Sequence, residues 1–242
     1  MTYTTRKLTR LFFDIETLAN PENCALMPEP VIEAPANYKD PAKIAEYITE
    51  KTAAAKASAM EKAALDPDYG QILSIGTFSE NFANGLPCVY INSAIFPDAV
   101  DFEDESGWFI PLSEAGMIQA FWDELSNHFG NCVGYNILGF DLPYLMRRSM
   151  ALEVENPFIP NLVKYRTEPV TDLMQILYNW EFGKWKGLKQ VAKLYRIPNE
   201  CPDVDGSKVS TLTPDELRAY QVSDVKLTTA LYAKMNGVYF NH

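Results

Sequence analysis

The chain has 242 residues, 47% hydrophobic and 22% charged, the balance of a soluble globular protein long enough to bury roughly 70–75% of its unfolded surface without disulfides or a structural metal. Lys and Arg total 21 against 32 Asp and Glu, a net charge of −11. That excludes a basic protein that coats nucleic acid, but not an enzyme that meets phosphate through bound cations.

Four scattered cysteines with no CxxC, and histidine only at 128 and 242, exclude zinc ribbons, disulfide scaffolds and HExxH sites. They read as reduced thiols of a cytoplasmic protein. The opening MTYTTRKLTR runs straight into LFFDIE, too short an apolar stretch for a secretory leader. Nothing approaches the ~18 apolar residues of a membrane span, so no membrane is expected.

Residues 11–16 predict a strand with Phe12, Asp14 and Glu16 on one face and Phe13 and Ile15 on the other. Residues 18–40, rich in Pro, Asn and Glu, read as loop. Asp40-Pro41 opens a helix, an N-cap before Pro at the first helical position, which runs to about Leu65 and stops at Asp66-Pro67. It is Ala-rich and carries little core-forming power, so it reads as an inserted arm.

Gln71–Phe78 and Cys88–Asn92 predict two more strands, with Asn84-Gly85 as a hairpin turn signal. Ser113–Phe129 has helical spacing at Met117, Phe121, Trp122, Leu125 and Phe129. A short strand at Cys132–Tyr135, a helix at Leu142–Met150, a strand at Pro169–Leu173, helices at Leu173–Trp180 and Leu188–Tyr195 and a final helix follow in order. The last opens with the capping box Thr213-Pro-Asp-Glu216 and runs to about Met235. Strands interleaved with helices, without a repeat or linker, indicate a single domain over 1–242 with a mixed sheet, helices packed on it and an insertion at 18–68.

The chemistry is carried by four carboxylates. Asp14 and Glu16 share one face of a strand otherwise made of large apolar residues, where two carboxylates repel each other and are costly to desolvate. A divalent cation removes that conflict, because hard cations take carboxylate oxygens. Asp224 repeats the anomaly inside the stripe Leu217, Tyr220, Leu227, Leu231 of the last helix, with Tyr220 one turn earlier on the same face. Asp141 follows the strand at 132–135 after a short turn, a common place for ligand groups in such sheets. Read alone, it serves equally well as an N-cap ahead of Pro143.

FDIET at 13–17, N-x-x-x-F-D at 136–141 and Y-x-x-x-D at 220–224 resemble the three motifs of the DEDDy 3′–5′ exonucleases. These belong to the ribonuclease H-like (DnaQ-like) superfamily, and the likeness is strongest to the proofreading domain of family B DNA polymerases. PVTDLMQILYNW and KGLKQVAKLYRIP share in it, and it spans nearly the whole chain outside 18–68. The resemblance implies an α/β ribonuclease H-like fold, a mixed five-stranded sheet of order 3-2-1-4-5 with strands 1–3 antiparallel and 4–5 parallel to strand 1. The inserted helical arm falls between strands 1 and 2.

The resemblance further implies two-metal hydrolysis of phosphodiesters from a 3′ end with Mg²⁺ or Mn²⁺, releasing nucleoside monophosphates. Asp14, Glu16 and Asp224 would hold one ion, Asp14 and Asp141 the other, and Tyr220 would orient the attacking water. Ala219 stands where the sister branch has His. Thr17 and Leu18 would touch the terminal nucleotide, and Asn136 and Phe140 the strand near its end. The expected substrate is the 3′ end of mainly single-stranded DNA. An exoribonuclease, or a non-catalytic protein that binds single strands or a replication partner, are the alternatives. As 18 residues follow Asp224, a free-standing enzyme is expected, acting alone or with a separate replication or repair protein.

Other residues carry two readings each. Asp172 supports the metal ligands or caps the next helix. Trp185, between Lys184 and Lys186, stacks on a base or anchors its loop. Arg147 and Arg148 reach the substrate strand or are solvated. Trp180 reads as core, and His128 as a helix end.

Overall fold

The computed structural model describes residues 9–79, 85–201, 203 and 206–240. The opening segment and Asn84 of the expected turn lie outside them. Two compact units are present: Thr17–Gln71, and the remainder of the chain.

In the larger unit a mixed sheet carries helices on both faces. Among the described residues the sheet has seven strands in the order β4-β5-β3-β2-β1-β6-β7. These are β1 (Leu11–Ala19), β2 (Gly70–Phe78), β3 (Cys88–Asn92), β4 (Phe102–Asp104), β5 (Gly107–Leu112), β6 (Cys132–Gly134) and β7 (Val170–Asp172). The five anticipated strands stand in the anticipated 3-2-1-4-5 order, and the α/β class holds. The five-strand count is corrected, because β4 and β5 extend the sheet beyond β3. Their sequence, FEDESGWFIPL, is acidic and Gly-broken, with a Pro inside the second strand, and its pattern alone predicts no element. β5 nevertheless pairs parallel to β3, from Cys88 opposite Trp108 to Asn92 opposite Leu112. β2 and β3 are antiparallel, whereas β6 is parallel to both β1 and β7.

β1 sorts the core by its two-residue period. Leu11, Phe13 and Ile15 join a buried cluster with α3 (Glu114–Asn127) and α4 (Asp141–Ala151). Phe12 joins the cluster on the other face with α5 (Leu173–Leu177), α6 (Leu188–Leu194) and α7 (Pro214–Met235). Met117, Phe121, Trp122 and Leu125 of the α3 stripe are fully buried, each contributing roughly 1.5–3 kcal/mol of apolar burial. Phe129 is a correction: it lies past the end of α3 with positive φ and is exposed. The Thr213–Glu216 capping box opens α7 as expected. Among the described residues, no helix is long and apolar enough to cross a membrane.

The smaller unit holds α1 (Pro21–Cys24) and α2 (Pro41–Ala63). Asp40 caps α2 by accepting from the Ala42 N–H at 2.9 Å. A bond from the Asn20 N–H to the Tyr69 carbonyl (2.8 Å) and one from the Gln71 side chain to the Ala19 carbonyl (3.2 Å) join its two ends.

Candidate active site

β6 ends early, and that ending makes the site. It pairs with β1 only at Leu11 and Phe12. At Gly134 the chain turns so tightly that an added Cβ would lie 2.1 Å from Ile137 Cγ2 and 3.1 Å from the Phe13 carbonyl. Beyond Phe12, therefore, β1 has no strand beside it on that edge among the described residues. The first residue of α4 fills the gap, with Asp141 Oδ1 accepting from the Ile15 N–H at 3.2 Å. Asp141 is not an N-cap. Phe140 holds that position without a side-chain cap bond, and the Asp141 carboxylate faces β1, between the two acidic residues of the strand.

Asp14 and Glu16 point to the face covered by α7. There Asp224 is buried within the helix stripe, and Leu217, Tyr220, Leu227 and Leu231 are buried with it. One oxygen from each of Asp14, Glu16 and Asp224 lies within 4.8 Å of the other two. Burial, followed by the charges of Glu16, Asp141 and Asp224, holds the Asp14 carboxyl well above its ordinary range. Burial and then Asp224 push Glu16 up to about 8. Asp141 is pushed up to about 7, chiefly by burial, against the pull of its own N–H and that of Ile15. Asp224 is raised by burial, and Lys189 and Tyr220 oppose the shift. Among the described residues its Oδ1 is buried without a hydrogen-bond partner. A largely buried set of carboxylate oxygens that repel one another, one of them unpartnered, fits a divalent cation.

The Tyr220 hydroxyl is hydrogen-bonded to Glu16 and to Asp224. Burial pushes the phenol up, so it stays protonated and donates. Asn136 has φ +69° and lies on the turn that delivers Asp141; its carbonyl accepts from the N–H groups of Gly139 (3.0 Å) and Phe140 (2.9 Å). Phe140 is half-buried against Tyr144, with centroids 5.3 Å apart. Thr17 and Leu18 continue β1 directly after Glu16, as the first residues of the smaller unit. The larger unit thus brings together Asp14, Glu16, Tyr220 and Asp224, with Asp141 attached through the Ile15 backbone.

Two contributors escaped the sequence reading. Gln221 Nε2 donates to Asp14 Oδ2 (2.9 Å) and to the Asp14 carbonyl (3.2 Å), while its Oε1 accepts from Ser74 Oγ (2.6 Å). Its signal was a polar residue beside Tyr220 on a helix face that points inward. Lys189 Nζ lies 4.3 Å from the Tyr220 ring centroid and donates to the Cys201 carbonyl at 3.0 Å.

Asp172 caps α5 through the N–H groups of Met174 and Gln175. It also accepts from the backbone of Asn136 and Leu138, and so fixes the turn before Asp141. Arg148 corrects both of its readings, for it is buried in a bidentate pair with Glu114. Arg147 is exposed. His128 ends α3, with Nε2 2.8 Å from Ser79 Oγ.

Residues 110–239 match the model of a family described as "Predicted 3'-5' exonuclease related to the exonuclease domain of PolB". The chain belongs to this family. None of the curated proteins matches it in sequence. The fold is similar to that of the family B DNA polymerase from the hyperthermophilic archaeon Pyrobaculum calidifontis, with a TM-score of 0.56 and 20% identity. That likeness covers 94% of this chain but 24% of the polymerase, so the chain spans about a quarter of that protein's length. Membership supports a nuclease that acts on nucleic acid, and the acidic trio is the place where this exonuclease fold could hold a divalent metal.

Proposed function

We propose that the protein is a metal-dependent 3′–5′ exonuclease that hydrolyses phosphodiester bonds at the 3′ end of DNA, mainly single-stranded, and releases nucleoside monophosphates. The observation that carries the reading is the trio Asp14, Glu16 and Asp224, with converging oxygens on a half-buried Asp14 and buried Glu16 and Asp224 and, among the described residues, an unpartnered one on Asp224. The cofactor is two divalent ions, Mg²⁺ or Mn²⁺. Asp14, Glu16 and Asp224 would hold one, and Asp14 with Asp141 the other. Such ions, when bound, lower the pKa of water and neutralise charge that builds on a phosphate.

The chain's own residues position and exclude. Tyr220 presents a protonated hydroxyl beside Glu16 and Asp224 and orients the attacking water. Thr17 and Leu18 contact the terminal nucleotide. Asn136 and Phe140 hold the strand near its end, Phe140 by apolar contact with sugar or base. The Asp172 bonds keep their turn in register with β1. The whole chain is read as one exonuclease domain, 1–242, with 18–68 inserted. The compactness of Thr17–Gln71 as its own unit supports that reading.

The test is a 5′-labelled single strand incubated with Mg²⁺, beside a circular strand, an RNA of the same sequence and the Asp14→Ala variant. The expected result is a ladder that shortens from the 3′ end of DNA, lost in the variant and in EDTA, with the circle intact. Cutting of the circle would make the enzyme an endonuclease. Preference for RNA would transfer the same chemistry to a ribose-bearing strand, where 2′-hydroxyl contacts decide. No degradation of any strand with Mg²⁺ or Mn²⁺ would sink the reading.

A further inference from the structure

In a chain where 32 acidic residues outnumber 21 basic ones, residues 178–196 hold five Lys or Arg, five aromatic residues and a single Glu. Trp185 is half-buried, belongs to neither buried apolar cluster, and packs edge-on against Phe182, with ring centroids 5.2 Å apart. Phe182 is 89% exposed, whereas the Trp185 indole N–H is buried, so Phe182 lies open on the surface and Trp185 is partly seated in its loop, outside both apolar clusters. Lys184 beside it is exposed and, among the described residues, pairs with Glu181 of the same loop, an exposed pair of little worth. Lys186 lies over the Tyr178 ring at 5.2 Å.

This surface is continuous with the carboxylate site. The Tyr135 hydroxyl donates to the Lys186 carbonyl, and Tyr135 directly precedes Asn136. Three residues after Lys186, Lys189 reaches the Tyr220 ring. The chain from Phe182 to Lys189 spans at most about 25 Å, the reach of a short run of nucleotides. An exposed ring and a half-buried one interleaved with lysines have the chemistry of a single-strand platform: rings stack on bases, which all have π-faces, and ammonium groups meet phosphates. Elsewhere the acidic surface repels a strand, so a local basic track beside the site also directs its approach.

We propose that the loop Trp180–Gly187 and the start of α6 form the platform for the single-stranded nucleic acid that leads to the carboxylate site, with Phe182 and Trp185 stacking on bases and Lys184 and Lys186 at phosphates. The proposal rests on the exonuclease reading for the strand's direction, but its test does not need catalysis. Binding of 5′-fluorescein-dT12 is followed by anisotropy in EDTA at several salt concentrations, for the wild type, Phe182→Ala/Trp185→Ala, Lys184→Glu/Lys186→Glu and Asp14→Ala.

The aromatic double variant is expected to weaken binding at least about tenfold. The lysine double variant should weaken it similarly and flatten the salt dependence by one to two phosphate contacts. Asp14→Ala, which removes a carboxylate from the metal-free site, should bind at least as tightly as the wild type. In Mg²⁺ the aromatic variant should raise KM for dT12 with a much smaller change in kcat.

Wild-type-like binding by both platform variants, with unchanged melting temperatures, overturns the proposal. So does failure of the wild type to bind dT12, or equal displacement of dT12 by a polyglutamate peptide of the same charge, which would assign the surface to any polyanion. Intact binding without degradation in Mg²⁺ or Mn²⁺ would instead sink the exonuclease reading and leave the platform standing.

Discussion

Two sets of carboxylates in the larger unit differ in their surroundings. Glu114 grips Arg148 at 2.7 and 2.8 Å and also accepts from the Ile72 N–H. Asp172, fully buried, accepts from four backbone N–H groups. Asp14, Glu16 and Asp224 have one Gln, one Tyr and a nearby Lys among them, and an Asp224 oxygen with no partner. The pKa direction alone does not separate the sets, for burial raises Asp172 despite its four donors. Convergence and satisfaction together separate them: Glu114 and Asp172 hold elements together, while the trio converges and, among the described residues, Asp224 keeps an unpartnered oxygen; Glu124 also has an unpartnered oxygen but is not part of that cluster. A carboxylate set like that is retained against its own repulsion when a cation completes it.

The largest contrast comes from removing one member of each set. Arg148→Ala strands Glu114 without its counter-ion, at a cost of about 3–5 kcal/mol, and should lower the melting temperature by about 10 °C or more. Asp14→Ala should leave the EDTA-form melting temperature unchanged or higher, while degradation of a single strand falls at least about 10³-fold. Thermal melts and single-turnover rates on the two purified variants check both. A melting temperature of Asp14→Ala as low as that of Arg148→Ala would make the trio structural.

The pH dependence sharpens the same point. Glu16 holds its proton up to about pH 8 in the folded protein, against roughly 4.3 in an unfolded chain. Folding therefore binds a proton, and that stabilisation is fully present below about pH 4.3. It fades as pH rises and is gone above about 8. In EDTA the melting temperature of Glu16→Gln should match the wild type near pH 4 and exceed it increasingly up to pH 8. Mn²⁺ should reverse the order by stabilising the wild type, more at pH 8 than at pH 5, because the ligands must lose their protons to bind. A pH-independent difference between the two proteins, or an equal Mn²⁺ shift in both, would remove Glu16 from the cation site.

Most of what positions the site was readable in the sequence, because it rests on local periodicity. The two-residue period of β1 put Phe12, Asp14 and Glu16 on one face, and the helical period put Asp224 among buried leucines; both placements hold. What escaped depends on partners distant in sequence. β4 and β5 are strands only because β3 offers an edge to Trp108–Leu112. Arg148 reads as a surface residue until α3 brings Glu114 to it. Asp172 offered two readings, and it both caps a helix and holds the turn before Asp141. Gln221 adjoins Tyr220 in sequence, but its role appears only when Ser74 and Asp14 are brought to its amide from two strands.

Gln221 gives the smallest and most specific effect. Its amide is fixed at one end by Ser74 Oγ and gives its N–H groups to Asp14 at the other, so it sets the direction of a carboxylate without touching substrate. Partners of metal ligands commonly change activity or metal affinity by 10–100-fold. Gln221→Leu should lower kcat within that range, leave KM for DNA near its wild-type value and raise the Mg²⁺ concentration needed for half-maximal rate. Gly76 lies on β2 where a Cβ would sit 2.5 Å from Gln221 Cγ. Gly76→Ala should therefore displace the same amide and give a milder form of the same defect, about tenfold. Tyr220→Phe differs in kind: the carboxylates and Gln221 stay in place, so the rate should fall without a change in the Mg²⁺ requirement. Partial rescue of Gln221→Leu and Gly76→Ala by excess Mg²⁺, with none for Tyr220→Phe, is the expected pattern. Rescue of all three, or of none, would mean that Gln221 does not act through Asp14.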